Sequence, residues 1–213
     1  MIELALEQGW VQPELAAEFP DLQLTYAAIA ARPRPSPPEV RQRLRALADR
    51  YTGARVIHMR QDAVPWAYRV FSRQVGIDPD TDRTPVEALA VERLRRGGLA
   101  SENLVDDALT IAIAETGVAV FVLDADMLDG EIGLRVTRAG EWLSDRRALA
   151  ARQLVVADAR RPVALVLGEV SPRVGVRAGT RRMVMCALRV KGVPPIVAEE
   201  ALCTLGETLG GQA

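Results

Sequence analysis

The chain predicts an α+β fold with a helical N-terminal half and a strand-rich C-terminal half. Three observations carry this. Up to about Glu115, apolar residues recur three and four positions apart, as on one face of a helix. From Val118 to Val190, short apolar or alternating runs are separated by turn residues, as in strands. The two kinds of pattern are segregated, which argues against a parallel sheet wound from alternating strands and helices. A length of 213 residues suffices for one domain with a fully buried core. The expected organisation is a single domain over 1–213. In it, 1–38 form an N-terminal helix, a strand and a proline-rich connection, and 39–213 form the main body.

Taken in order, Pro13 opens a short helix through Phe19, with proline at a tolerated first-turn position. Leu22 to Tyr26 alternates like a half-buried strand. ARPRPSPP, Ala31 to Pro38, can be neither helix nor central strand and reads as a connection. Val40, Leu44, Leu47 and Tyr51 then recur at helical spacing, with arginines on the other face. Two further helices, Pro65 to Gln74 and Pro85 to Arg96, flank the turn-rich GIDPDTDRTP. Ser101 is expected to cap a helix from Glu102 to Glu115, which Gly117 ends. Strands follow at Val118–Leu123, Glu131–Val136, Gln153–Ala157, Val163–Val170 and Arg181–Val190. Pro195 to Leu209 closes the chain as a helix.

Composition narrows the functional classes. The net charge of −1 lacks the broad basic field of a nonspecific nucleic-acid binder. Lys191 is the only lysine, so the positive charge is almost all arginine, whose planar fork suits phosphate and carboxylate. A compositional preference for arginine accounts for the same count. The N-terminus has neither a basic leader nor a long apolar run, and no stretch approaches the ~20 apolar residues that span a bilayer. Cys186 and Cys203 are therefore expected as free thiols in the cytoplasm, with no membrane association.

The acidic stretch FVLDADMLDGEIGLR, Phe121 to Arg135, superficially resembles a calcium loop. Counting from Asp124 puts Asp129 where such a loop needs glycine, and Arg135 where it needs a bidentate glutamate. The stretch reads instead as strand–turn–strand. His58 is the only histidine and the cysteines form no close pair, so no metal and no cofactor is expected. Phosphate-cradling glycine motifs for nucleotides are also missing. One loop stands out: SPRVGVRAGTRR, Ser171 to Arg182, sets Arg173, Arg177, Arg181 and Arg182 among glycines that let a backbone approach a ligand. A solvated surface loop is the alternative.

Two longer segments carry a resemblance. LVDDALTIAIAETGVAVFVLDADMLDGEIGLRVTRAGEW and VVADARRPVALVLGEVSPRVGVRAGTRRMVMCAL together resemble the B3/B4 domain of the phenylalanyl-tRNA synthetase beta subunit. The matching positions are Val105, Asp106, Gly117, Asp124, Asp126, Arg135, Gly140, Glu141 and Thr180. Upstream, WAYRVFSRQVGIDPDTDRTPVEALAVERL is similar to the lead-in of free-standing members. The resemblance implies a three-layer α+β domain with an unusual β-sandwich. It also implies an editing function, removal of wrongly attached tyrosine from phenylalanine tRNA. Against the family pattern, Phe121 stands at a strand histidine, Cys186 at a glutamate and Leu109 at an asparagine.

These replacements remove polar groups that would orient a water or grip an amino-acid side chain. The expectation is thus a B3/B4-like domain that binds RNA, a tRNA or its aminoacylated end, with slow deacylation if any. The binding candidates are Asp106, Phe121, Arg135, Arg173, Arg177, Thr180, Arg181 and Arg182, with Cys186 as the one candidate nucleophile. Asp106, Arg135 and Thr180 have a purely structural alternative, satisfying buried groups of the fold. At the level of the whole protein the alternatives are a noncatalytic binder of a small molecule or amino acid, and a module that docks on the translation machinery.

Overall fold

The computed structural model describes residues 4–210. Two short strands, β1 (Glu7–Gln8) and β2 (Trp10–Val11), lead into helix α1 (Pro13–Glu18) and the long strand β3 (Gln23–Ala30). Helices α2 (Pro38–Ala48), α3 (Gly53–His58), α4 (Ala63–Gln74), α5 (Pro85–Arg96) and α6 (Leu104–Thr116) follow. The strand-rich part comprises β4 (Ala119–Asp124), β5 (Gly133–Val136), β6 (Trp142–Ser144), β7 (Arg147–Ala148), β8 (Leu154–Ala157), β9 (Pro162–Leu165) and β10 (Arg182–Arg189). Helix α7 (Pro195–Gly210) ends the described chain. The architecture is α+β, as the segregated patterns predict.

The strands form two four-stranded sheets and a ribbon. The first sheet has the order β1-β3-β10-β4 and is antiparallel throughout, with β10 paired to β3 from Arg182↔Ala30 to Arg189↔Gln23. The second has the order β2-β5-β8-β9, with β2 parallel to β5 and the rest antiparallel. Directly paired residues share a face. One face of the first sheet therefore carries Leu24, Tyr26, Phe121 and Cys186, and the other carries Ala27, Val122 and Met185. Gly206 of α7 sits 3.4 Å from Met185 Cε when given a Cβ, so α7 covers the second face. Gly9, between β1 and β2, lies against Leu24 and the carbonyl of Ile132 just before β5, on the opposite side. The approach of β2 to β5 is tighter still. A Cβ on Gly133 would stand 2.1 Å from the Trp10 carbonyl oxygen, so only glycine fits there.

Buried polar groups pin the helices. Tyr68 of α4 is fully buried; its hydroxyl donates to the Leu188 carbonyl and accepts from the Ala119 amide at 3.1 Å. Burial pushes the Tyr68 phenol well above its ordinary range, so it stays a neutral donor. Arg69 bonds Asp80 at 2.6 Å and Glu87 at 2.9 Å, tying α4 to the following turn and to α5. Among the described residues no helix is long and apolar enough to cross a membrane.

Several expected boundaries move, each for a physical reason. The N-cap of α6 is Asn103, not Ser101. The Asn103 side-chain oxygen accepts from the Val105 and Asp106 amides at 3.0 and 3.1 Å, while Ser101 donates to buried Asp107. The strand expected at Leu22–Tyr26 runs on to Ala30 because β10 pairs with its whole length. The run Val163–Val170 breaks after Leu165, where Leu167 adopts φ 56° and the chain folds back so that Val170 bridges Ala164. The strand–turn–strand at the acidic stretch is no hairpin, since β4 belongs to the first sheet and β5 to the second. Helix α3 and the strands β1, β2, β6 and β7 carry too few residues, or too few buried ones, to imprint a period.

Candidate nucleic-acid interface

The sheet row that holds Cys186 is apolar. Tyr26, Cys186 and Phe121 stand side by side in register on β3, β10 and β4. Cys186 is fully buried, and that burial pushes its thiol well above the ordinary range. A thiol held neutral is a poor nucleophile. Its one polar neighbour in the row is Tyr26, whose phenol is pushed up to about 12, mainly by burial and then by its bond to Glu7. Leu109 is not part of this row. It lies on α6 with Asp106, lining a separate groove of about 320 Å³ against α5.

On α6 the exposed Asp106 is bonded by the Asn103 amide group, whereas its neighbour Asp107 is buried and accepts from Ser36, Ser101 and the Glu102 amide. Asp107 therefore fastens the proline-rich connection to α6. Its only signal in the sequence is adjacency to Asp106.

Arg135 and Glu141 form a bidentate pair with both bonds at 2.7 Å. The guanidinium holds the Glu141 carboxyl below its usual range, helped by the Arg138 amide at 2.8 Å. This pair braces the bend 136–141 that leads into β6. Arg135 also lines a cleft of about 790 Å³ with Trp10, Gln12 and Thr137, on the β2–β5 edge.

Thr180 and Asp124 close the arginine loop. Thr180 is buried, donates to Asp124 at 2.6 Å and accepts from the Arg177 amide at 3.0 Å. At the other end, buried Ser171 donates to the Leu143 carbonyl at 2.5 Å, tying the loop to β6. Asp124 further accepts from the Asp126 amide at 3.1 Å, and Asp129 lies 3.6 Å from Arg160, so the carboxylates of the acidic stretch are engaged separately.

The four loop arginines divide. Arg173 and Arg177 line a cleft of about 480 Å³ together with Arg161, Asp145 and Met127. An adjoining cleft of about 460 Å³ shares Ser144, Asp145, Arg161 and Arg173, and adds Arg160 and Trp142. Arg181 instead folds back on its own loop, donating to the Ala178 and Thr180 carbonyls at 3.1 and 3.0 Å. Arg182 is exposed, 4.0 Å from Asp126. Arg160 and Arg161 join Arg173 from a different turn, in which Asp158 accepts both of their backbone amides at 2.9 and 2.8 Å. Sequence reasoning missed this pair because twelve residues, a strand among them, separate Arg160 from Arg173.

A family model described as the B3/4 domain matches residues 67–195. The phenylalanine–tRNA ligase beta subunit of Xanthomonas euvesicatoria pv. vesicatoria (strain 85-10) is 38% identical over 120 residues, covering 54% of this chain and 14% of that protein. The corresponding subunit of Xylella fastidiosa (strain Temecula1 / ATCC 700964) is 37% identical over 94 residues, 42% of this chain and 12% of that protein. The matched region thus spans about one seventh of the length of the first of these curated relatives.

Proposed function

Because the chain belongs to the B3/4 domain family, whose model matches more than half of it, we propose that this protein engages RNA, specifically a tRNA or its aminoacylated end. The observation that carries this reading is the pair of adjoining clefts lined by Arg160, Arg161, Arg173 and Arg177. Guanidinium forks gathered around a concave surface suit phosphodiesters, and phosphate contacts position a nucleic acid without reading its sequence. The relatives named as phenylalanine–tRNA ligase subunits support a tRNA over other RNAs. The order of helix α7, first sheet and second sheet supports the family's three-layer arrangement with its unusual β-sandwich. The proposed setting is the cytoplasm, where Cys186 and Cys203 stay reduced.

Editing hydrolysis is slow in this reading. Deacylation needs a water held against the ester carbonyl and donors for the developing charge, and losing either costs orders of magnitude in rate. Phe121 offers no hydrogen bond, and Cys186 is buried with its thiol held neutral.

Both parts are tested with purified protein and tRNA. Binding is expected to weaken with salt, and Arg173→Ala or Arg177→Ala should each lower the log–log salt slope by about one, similarly across tRNAs. An affinity indifferent to salt and to these substitutions would remove RNA from the reading and leave the Arg135 cleft, and with it a small ligand, as the next subject. In single-turnover assays on tyrosylated phenylalanine tRNA, hydrolysis should be little faster than the background. Fast turnover abolished by Cys186→Ala would make the protein a thiol-dependent deacylase instead.

A further inference from the structure

We infer that Trp142 and the arginines beside it form a seat for one unpaired nucleotide, the base stacking on the indole and its phosphates held by Arg160, Arg161 and Arg173. The inference rests on the RNA reading above and specifies where and in what form RNA is gripped.

Alternation along β6 decides which way Trp142 faces. Leu143 is buried in a small cluster with Leu149 and Val155, so its neighbour Trp142 is turned outward and remains 53% exposed. A single exposed apolar residue is ordinary on any protein. This one lies on the wall of a cleft whose other walls include Arg160, Arg161 and Arg173 beside Pro162, Ser144 and the carboxylates Glu141 and Asp145. An indole face next to guanidiniums is the combination that single-stranded nucleic acids use, because every base has a face to stack and every nucleotide a phosphate to neutralise. Bases inside a duplex are already stacked, so the seat suits an end, a loop or a bulge.

Each of the three arginines has one carboxylate within 4.0 Å, but those of Arg160 and Arg161 are long contacts, Asp129 at 3.6 Å and Asp158 at 4.0 Å. Arg161 donates Nη2 to the Met127 carbonyl at 3.2 Å, while its Nε is buried without a hydrogen-bond partner, 4.0 Å from Asp158. Among the described residues the Arg177 side chain reaches only the Arg173 carbonyl, at 3.1 Å. Glu141, on the same cleft, is already taken by Arg135. The remaining carboxylate shared by the two clefts is Asp145, paired with Arg173 yet 84% exposed. An exposed carboxylate on an arginine occupies the place of an oxyanion and is easily displaced by a phosphate. Asp145 therefore competes with the ligand in this arrangement.

The test uses the full chain and three probes: a fluorescently labelled single-stranded RNA tetranucleotide, a blunt RNA duplex of the same composition, and inorganic polyphosphate. The tetranucleotide is expected to bind more tightly than the duplex and to quench tryptophan fluorescence. Trp142→Ala should weaken tetranucleotide binding about tenfold, whereas Trp142→Phe, which keeps a stacking ring, should retain most of it. Asp145→Asn should tighten binding severalfold, a change in the direction opposite to loss of structure. If tRNA binds but Trp142→Ala leaves both tRNA and tetranucleotide affinity unchanged, the seat is wrong while the RNA reading stands. Polyphosphate matching the tetranucleotide in affinity would likewise overturn the stacking role. Absence of binding by tRNA and tetranucleotide alike would overturn both.

Discussion

Glu141 is where local electrostatics and the proposed seat meet, since it immediately precedes Trp142 and is gripped by Arg135 and by the Arg138 amide. Its carboxyl is held below the ordinary 4.5, first by the Arg135 hydrogen bonds. A depressed carboxylate contributes stability that is fully present above its unfolded value and is lost as pH falls through the lower folded value. Glu141→Gln should therefore cost about 2 kcal/mol near pH 7 and progressively less in acid, as the wild-type carboxyl also becomes neutral. Urea unfolding of both proteins at neutral pH and near pH 3 measures this, and a gap that does not narrow in acid would refute the assigned role. At the same scale, Thr180 and Asp106 resemble the family in identity but differ in surroundings: Thr180 is enclosed with Asp124, whereas Asp106 is open to solvent. No pattern of types along the chain distinguishes those two environments.

Among the elements, α5 matches its expected bounds Pro85–Arg96, whereas α6 is legible at its end and not at its start. Its end at Gly117 follows from one residue, because φ is 74° there and glycine alone adopts that conformation without cost. A Cβ at this position would also meet Val64 Cγ1 at 3.2 Å. Gly117→Ala should accordingly cost about 1–2 kcal/mol and lower the melting temperature by about 4 °C, with secondary structure retained. An unchanged melting curve would mean that the turn relaxes freely. The start of α6 was less legible, since Ser101, Asn103 and the following aspartates all have capping chemistry, and burial of Asp107 decides among them. The ribbon β6–β7 left no period at all. Its orientation comes from Leu143 and Leu149 packing inward, which the two- and three-residue runs cannot signal alone.

Across the whole molecule, the N-terminal segment is structural and not an appendage. β3 lies between β1 and β10 in the first sheet, and β2 forms an edge of the second. Deleting residues 1–30 would strip β10 of its partner over eight register pairs and uncover Leu24's buried neighbours. The truncated chain is expected to lose cooperative thermal unfolding and to aggregate through the opened strand edge. A soluble fragment from residue 31 with a sharp melting transition would show instead that the main body folds alone, and would overturn the single-domain expectation.

The sequence by itself determined the segregation of helices from strands, the helix Pro85–Arg96 and the B3/4 family, whose marks are an ordered series of residues at set spacing. These are local or linear properties: a period of burial, a stop residue, a succession of motifs. Only the tertiary structure decided that β4 and β5 part into different sheets, that Leu109 lies away from Cys186 and Phe121, and that Arg160 and Arg161 join Arg173 beside Trp142. Periodicity records how much of each side chain is buried, but not against which distant partner. That choice is made by packing between elements far apart in the chain, where Ser171 fastens the arginine loop to β6 and Asp158 turns its two arginines toward it.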